Sequence, residues 1–286
     1  MPSLHEISNE ITPHNLISKY IHKLSDETNR NIIVYYSGWL NNPNSNKDTG
    51  INDLDKNAFM SVIHGLDKSK GLDLILHTPG GDVGATESLI DYLYDSFNGN
   101  IRAIVPQIAM SGGTMIACSC KEIIMGKQSS LGPIDPQFNG IPAEAIINEF
   151  QCAKKEIIEE PKSIPYWSNL LSKYPPTLVI LCKNARLWSD EILEKSLKYA
   201  MFSENDEKEI KKIKSVLGSH ENTKSHGRHL SSKDCSKLGL KIKNMEDNDK
   251  LQDLILSVHH SCMNFFNNNS EAVKLIANNI DTFFIQ

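Results

Sequence analysis

The sequence predicts an α/β fold with parallel central strands. Three observations predict it. Short β-branched runs alternate with stretches of helical periodicity, which argues for parallel strands joined by right-handed crossovers. Glycine-rich turns lie where two of those strands hand over to helices. A chain of 286 residues is also long enough for one large domain with a real core, or one domain plus a helical appendage.

Each element follows from its residues. In "HNLISKYIHKLSDE", Leu16, Ile17, Tyr20, Ile21 and Leu24 recur at helical spacing, so an amphipathic helix covering the domain or joining a partner is expected over 14–27. "IIVYYSGW" is β-branched and aromatic, as a buried strand requires. After the polar loop "NNPNSNKDTG", helical periodicity resumes in "DLDKNAFMSVIHGLD". The order then repeats as strand "LDLILH", glycine turn, helix "ATESLIDYLYDSF", strand "IRAIVP", turn "QIAMSGG", helix "TMIACS" and strand "EIIMG". Past "SSLGPIDPQFNG" the pattern is mostly helical, with a proline near the first turn of "IPAEAIINEFQCAKKEI" and charged amphipathic stretches over 175–217. "KSHGRHLSSKDCSKLGLKI" carries helix-start chemistry before a short helix ending at Gly239. "NFFNNNSEAV" reads as a polar joint before a last helix.

Composition narrows the function classes. Hydrophobic residues make up 40% and charged residues 23%, an ordinary globular mixture, and the net charge of -5 argues against a broad nucleic-acid surface. Six cysteines are scattered without a CxxC pair, which favours a reducing compartment and a packing role for each. The start "MPSLHEISNE" lacks a basic-then-apolar signal, and no window approaches the ~18 apolar residues of a membrane span. A cytoplasmic protein with no membrane span is therefore expected. No HExxH motif or cysteine–histidine cluster offers a metal site.

Two turns carry candidate chemistry. In "LHTPGGDVGA", Gly80 and Gly81 follow a strand and precede a helix, where side-chain-free amides can approach a ligand and negative charge is favoured. The turn could equally be the tightest route from strand to helix. It matches neither GxGxxG nor the lysine-bearing phosphate loop. In "AMSGGTMIA", Ser111 stands between small Ala109 and Gly113, which suits a nucleophile elbow, although serine before an apolar run is also a common helix cap. One turn offering amides beside another offering a hydroxyl favours the nucleophile.

These residues resemble a known family. "TPGGDVGATESLIDYL", followed about thirty residues later by "AMSGGTMIA", is similar to the Clp-fold serine proteases. That group includes the proteolytic subunit of Clp protease, signal peptide peptidase A and, most closely, the serine dehydrogenase proteinase family. "SSLGPIDPQF" and "HGRHLSSKDCSKLGL" extend the likeness over roughly residues 31 to 245. The resemblance implies a ClpP/crotonase-like spiral fold in that span, with a helical arm over 1–30, a helical extension over 246–286, and assembly into a closed homo-oligomer.

Carried over residue by residue, the resemblance makes Ser111 the nucleophile of a serine endopeptidase that needs no cofactor. It places the oxyanion hole on the amides of Gly81, with Gly80, and Gly112. The base departs from the Clp subunit. Where that enzyme has its catalytic histidine this chain reads "IDPQ" and places Asp135, and where it has its aspartate this chain reads "SHGRHLS" and places His226 beside Gly227. Acid and imidazole exchange stations, so His226 is the expected base and Asp135 the orienting carboxylate, triads being defined by geometry and not by chain order. His226 also reads as a solvated loop histidine, and Asp135 as a turn residue before Pro136. Signal peptide peptidase A instead uses a serine–lysine dyad, for which Lys154 is the alternative base, with Lys155 and Lys162 beside it in a run that also reads as a solvated helix face. His229 and His77 remain candidates, the latter as a groove-lining or packing residue.

The expected substrate is a peptide or unfolded protein segment, added as a strand near "TPGG". An activating partner is possible, since no phosphate-binding loop supplies ATP-driven unfolding within this chain. Two rivals stand beside the peptidase: a non-catalytic or latent assembly protein of the same fold, and a crotonase-type acyl-thioester enzyme.

Overall fold

The computed structural model describes residues 13–41 and 48–285. Residues 1–12, which include the start of the expected helical arm, the middle of the loop "NNPNSNKDTG" and Gln286 lie outside the described residues. The described residues open with helix α1 (Pro13–Thr28) and strand β1 (Asn31–Ser37). Helix α2 (Asp53–Ile63), strand β2 (Leu72–His77), helix α3 (Val83–Phe97) and strand β3 (Ile101–Val105) follow. Next come the short strand β4 (Ile108–Ala109), helix α4 (Gly112–Cys118), and strands β5 (Glu122–Met125), β6 (Ser130–Leu131), β7 (Gln137–Phe138) and β8 (Ile141–Pro142). A helical region comprises α5 (Ala143–Glu159), α6 (Ile164–Leu171), α7 (Leu178–Tyr199), α8 (Glu207–Leu217) and the one-turn α9 (His220–Thr223). Strand β9 (Leu230–Ser231), helix α10 (Ser232–Leu238), strand β10 (Ile242–Asn244), helix α11 (Asp249–Asn268) and strands β11 (Lys274–Asn278) and β12 (Phe283–Ile285) complete it.

The main sheet runs in the order β10-β5-β3-β2-β1-β11-β12, parallel from β10 to β1 and antiparallel beyond it. The α/β reading holds. Every residue of β1 and β2 is buried, so both faces of the sheet are covered, as parallel sheets require. Ile33, Tyr35, Leu72, Leu74 and Leu76 face one cluster with Phe59, Leu89, Leu93 and Leu197. Their neighbours Ile32, Val34, Tyr36 and Ile75 face the other, made by Ile17, Ile21 and Leu24 of α1 and Ile255, Val258, Cys262 and Phe265 of α11. The opening helix therefore covers the sheet.

One expectation is corrected at the C-terminus. A polar joint and a last helix were expected there, but α11 continues through "NFFNN" and the chain then returns as the β11–β12 ribbon. The run "AVKLIA" suits either element locally. Pairing decides it, because β1 has an open edge on the side away from β2, and β11 fills it in register Tyr35↔Ile276.

That ribbon carries a buried charge. Lys274 Nζ lies 3.0 Å from Asp55 Oδ1, with the two side chains 0% and 1% exposed. Tyr35 Oη donates to Asp55 Oδ2 at 2.8 Å, and Asn52 N donates to the same oxygen at 2.9 Å. Burial and the Asp55 charge raise the Tyr35 phenol well above its ordinary value, so it remains a donor. Lys274→Met leaves Asp55 buried without a counter-charge and is expected to destabilise by about 3–5 kcal/mol in urea unfolding, with part recovered on adding Asp55→Asn.

His77 packs in the core. It is 1% exposed, stacks on Tyr36 at 4.0 Å between ring centroids, and places Nδ1 3.1 Å from Ser37 O and Nε2 3.0 Å from Gln107 Oε1. Burial lowers its pKa to about 4, and that of neighbouring His259 to about 3. The unfolded chain binds these protons near 6.5, so between that value and 4 it holds more protons than the folded chain. Stability is thus complete above about 6.5 and is lost as pH falls toward 4, on the order of 3 kcal/mol for His77 alone. Urea unfolding at pH 7 and pH 4.5 should show the loss, and His77→Gln should flatten it.

Candidate active site

Two turns meet at the carboxyl end of the parallel strands. Thr78 N donates to Ile108 O and Met110 N donates to Thr78 O, so β4 is laced to the chain just beyond β2. The two glycine-bearing turns are therefore in contact: a Cβ on Gly80 would come within 2.8 Å of Met110 O and of Ser111 Cβ, and 3.0 Å from Gly112 N. Gly80 also sits at φ +92, where side chains are disfavoured.

The backbone at Ser111 bears on both readings of that residue. Its backbone is held at φ 48, ψ -112, a region that non-glycine residues avoid, and it directly precedes α4. Its side chain makes no cap hydrogen bond to that helix. Capping leaves the elbow's strain unexplained.

Ile51 lies beside the first turn as a parallel bridge partner of Gly81: its N–H donates to Gly80 O and its carbonyl accepts from Asp82 N, each at 2.8 Å. Alternation along an extended chain then turns the N–H of Gly81 to the other side. Gly80 N donates to Thr78 Oγ1 at 3.2 Å. Among the described residues the N–H groups of Gly81 and Gly112 have no hydrogen-bond partner, which separates Gly81 from Gly80 as an amide donor.

Asp135 lies on the loop after β6 and is only 2% exposed. Its Oδ1 is 2.7 Å from His226 Nδ1, so the structure joins the two residues that sequence comparison placed in exchanged stations. Thr114 ties this loop to the elbow: its hydroxyl donates to Ala109 O at 2.9 Å and accepts from Gly132 N at 3.0 Å. Among the described residues no hydrogen bond joins Ser111 Oγ to His226.

The sequence reading missed further residues of this cluster. His220 Nδ1 is 3.2 Å from Asp135 Oδ2, and Gln137 Nε2 donates to that oxygen at 3.0 Å. Glu144, 8% exposed, accepts from His220 N at 2.6 Å and lies 3.4 Å from Arg186 Nη1. The other candidates are elsewhere. His229 Nδ1 contacts Ser130 Oγ at 2.9 Å, Lys154 and Lys155 project from the exposed face of α5, and Lys162 is exposed. Among the described residues no three His, Cys, Asp or Glu side chains are grouped to hold a metal, and no helix is long and apolar enough to cross a membrane.

Comparison with known proteins agrees with the motifs. Residues 49–170 match the family of ClpP-like SDH-type serine proteinases. This is the family that the glycine turns and the elbow resemble, and a central, mostly parallel sheet with added terminal helices is consistent with its fold. The matched span holds Ser111, both glycine turns and Asp135, and stops before His220 and His226. Two uncharacterized proteins of Methanocaldococcus jannaschii are similar to the chain. One is 42% identical over 93 residues, covering 32% of this chain and 32% of that protein. The other is 34% identical over 106 residues, covering 37% and 36%. The similarity thus spans about a third of the length of these curated relatives.

Proposed function

We propose that the protein is a serine endopeptidase that cleaves peptide bonds through an acyl-enzyme on Ser111. The observation that carries this reading is the elbow, a serine held at φ 48 before a helix that its hydroxyl does not cap. The unpaired amides of Gly81 and Gly112 and the Asp135–His226 contact support it.

The chemistry follows from these groups. His226 Nε2 takes the proton of Ser111 as Oγ bonds to the scissile carbonyl carbon, while Asp135 holds the Nδ1 proton and stabilises the imidazolium. The carbonyl oxygen becomes an oxyanion facing the Gly81 and Gly112 N–H groups, each typically worth ~3 kcal/mol of barrier lowering. Collapse breaks the C–N bond, His226 returns its proton to the departing amine, and water repeats the sequence to release the acid. The peptide lies on the side of Gly81 away from Ile51. Alignment of Ser111 with His226 is completed when substrate binds or subunits assemble, as catalytic hydrogen bonds often tighten only in the complex.

Peptide or unfolded-protein substrates, a cytoplasmic location and a closed homo-oligomer belong to the same proposal. The exposed Ile164, Tyr166, Ile180, Leu181 and Leu187 of α6 and α7 support a subunit contact there. A second reading, a latent or non-catalytic Clp-fold protein awaiting a partner, is favoured by the missing Ser111–His226 hydrogen bond. The crotonase-type alternative fits less well, because it calls for a carboxylate free to act on substrate, whereas Asp135 is buried against three donors. Lys154 as base is disfavoured by its solvated position on α5.

A fluorophosphonate probe read by intact mass tests the proposal, since it modifies only an activated serine. One adduct is expected on the wild type under conditions that retain its oligomer. An unlabelled wild type would favour the latent reading.

A further inference from the structure

The geometry points to His220 as a positioning residue for this site, a second imidazole that fixes one oxygen of Asp135 so that the other serves His226. The inference rests on the roles given above to Asp135 and His226.

Asp135 has two oxygens and three side-chain donors. Among the described residues Oδ1 meets only His226 Nδ1, at 2.7 Å, whereas Oδ2 meets His220 Nδ1 at 3.2 Å and Gln137 Nε2 at 3.0 Å. Turning of the carboxylate about Cβ–Cγ would swing Oδ1 away from His226, and two partners on Oδ2 oppose it. Both imidazoles approach through Nδ1, so each donates from that nitrogen and leaves Nε2 as its acceptor. The arrangement has two histidines of the same tautomer on one carboxylate, and their anchorage distinguishes their roles.

His220 is held by its backbone as well as its ring. Its N–H donates to Glu144 Oε2 at 2.6 Å, Glu221 N and Ser219 Oγ reach the same oxygen at 3.3 and 3.4 Å, and Arg186 Nη1 lies 3.4 Å from Glu144 Oε1. Asn148 Nδ2 on α5 adds a bond to Glu221 Oε1 at 3.1 Å. His220 is therefore fastened to α5 and, through Arg186, to α7. His226 is held within its own turn and not to those helices: it lies just after Lys224, which closes α9 at φ 67, in a turn closed by Arg228 N donating to Ser225 O at 3.1 Å and by Arg228 Nη1 donating to Asn222 O and Thr223 O, each at 3.2 Å. The histidine fastened to the helices sets the carboxylate, and the carboxylate sets the histidine on the separate turn. Glu144 and Arg186 make this chain continuous with the α5–α7 helices, so a change in how those helices pack would reach the base through His220.

Two variants test the inference by two readouts. His220→Ala removes the donor to Oδ2, whereas His220→Asn places an amide N–H where Nδ1 stands. Fluorophosphonate labelling of Ser111 should slow ten- to a hundredfold in His220→Ala, the scale of an ångström-sized misplacement, and recover most of its rate in His220→Asn. Nitrogen-15 NMR of histidine-labelled protein reads the His226 ring directly. A single Nδ1–H tautomer is expected in the wild type and in His220→Asn, and a mixture in His220→Ala. Wild-type labelling and an unchanged His226 tautomer in His220→Ala would overturn the positioning role. So would equal impairment of the alanine and asparagine variants, which would mean that the imidazole itself is needed. A wild type that takes no label would remove the peptidase reading and leave the tautomer measurement to decide the role of His220 alone.

Discussion

Ser111→Ala is expected to abolish fluorophosphonate labelling and lower peptide hydrolysis by roughly 10⁴–10⁶, while circular dichroism stays that of the wild type. The hydroxyl makes no cap bond, so its removal leaves α4 intact. Ser111→Gly should be equally inactive and more stable. A serine at φ 48, ψ -112 carries strain of about 1–3 kcal/mol that glycine does not, set against the entropy glycine adds to the unfolded chain. A net gain of about 1 kcal/mol in urea unfolding is the expected result. A stabilised and inactive variant would mean that the elbow is held for function against the preference of the fold. Retained hydrolysis in Ser111→Ala would exclude Ser111 as nucleophile.

How far the sequence reveals this site depends on whether local chemistry or distant pairing decides each residue. The two turns were legible because only glycine tolerates them. A Cβ at Gly81 would fall 2.1 Å from Ile51 N, and Gly80 abuts the elbow. Asp135 and His226 were legible from their positions relative to the family's motifs, although they are ninety-one residues apart and meet only through tertiary packing. His220 was not, because nothing in "SHENTKSHGRH" distinguishes a histidine fastened by Glu144 from one in solvent. Nor could the sequence show that Ile51 would occupy one side of the first turn and so select the free amide. The terminal strands were illegible for the same reason: "AVKLIA" becomes β11 because β1 offers it an edge.

Asp135→Asn is the second variant expected to inactivate, and the donor arrangement explains why. The introduced amide has one acceptor and one donor end. With its NH₂ toward His226, only that ring must change tautomer, while His220 and Gln137 keep donating to the amide oxygen. With its NH₂ the other way, both His220 and Gln137 must reverse. The first arrangement is therefore favoured, and it puts the proton on His226 Nε2, where the ring can no longer accept one from Ser111. Labelling should fall by about 10³–10⁴, the scale of a wrong tautomer combined with a lost charge. Folding should weaken by about 1–3 kcal/mol, because a buried group loses part of its hydrogen bonding. Removing His220 in the same chain leaves only Gln137 to reverse, which makes the productive orientation less unfavourable. The double variant Asp135→Asn, His220→Ala should therefore label no more slowly than Asp135→Asn alone, although His220→Ala impairs the wild type. Strictly multiplied losses would show that the two histidines do not share the carboxylate.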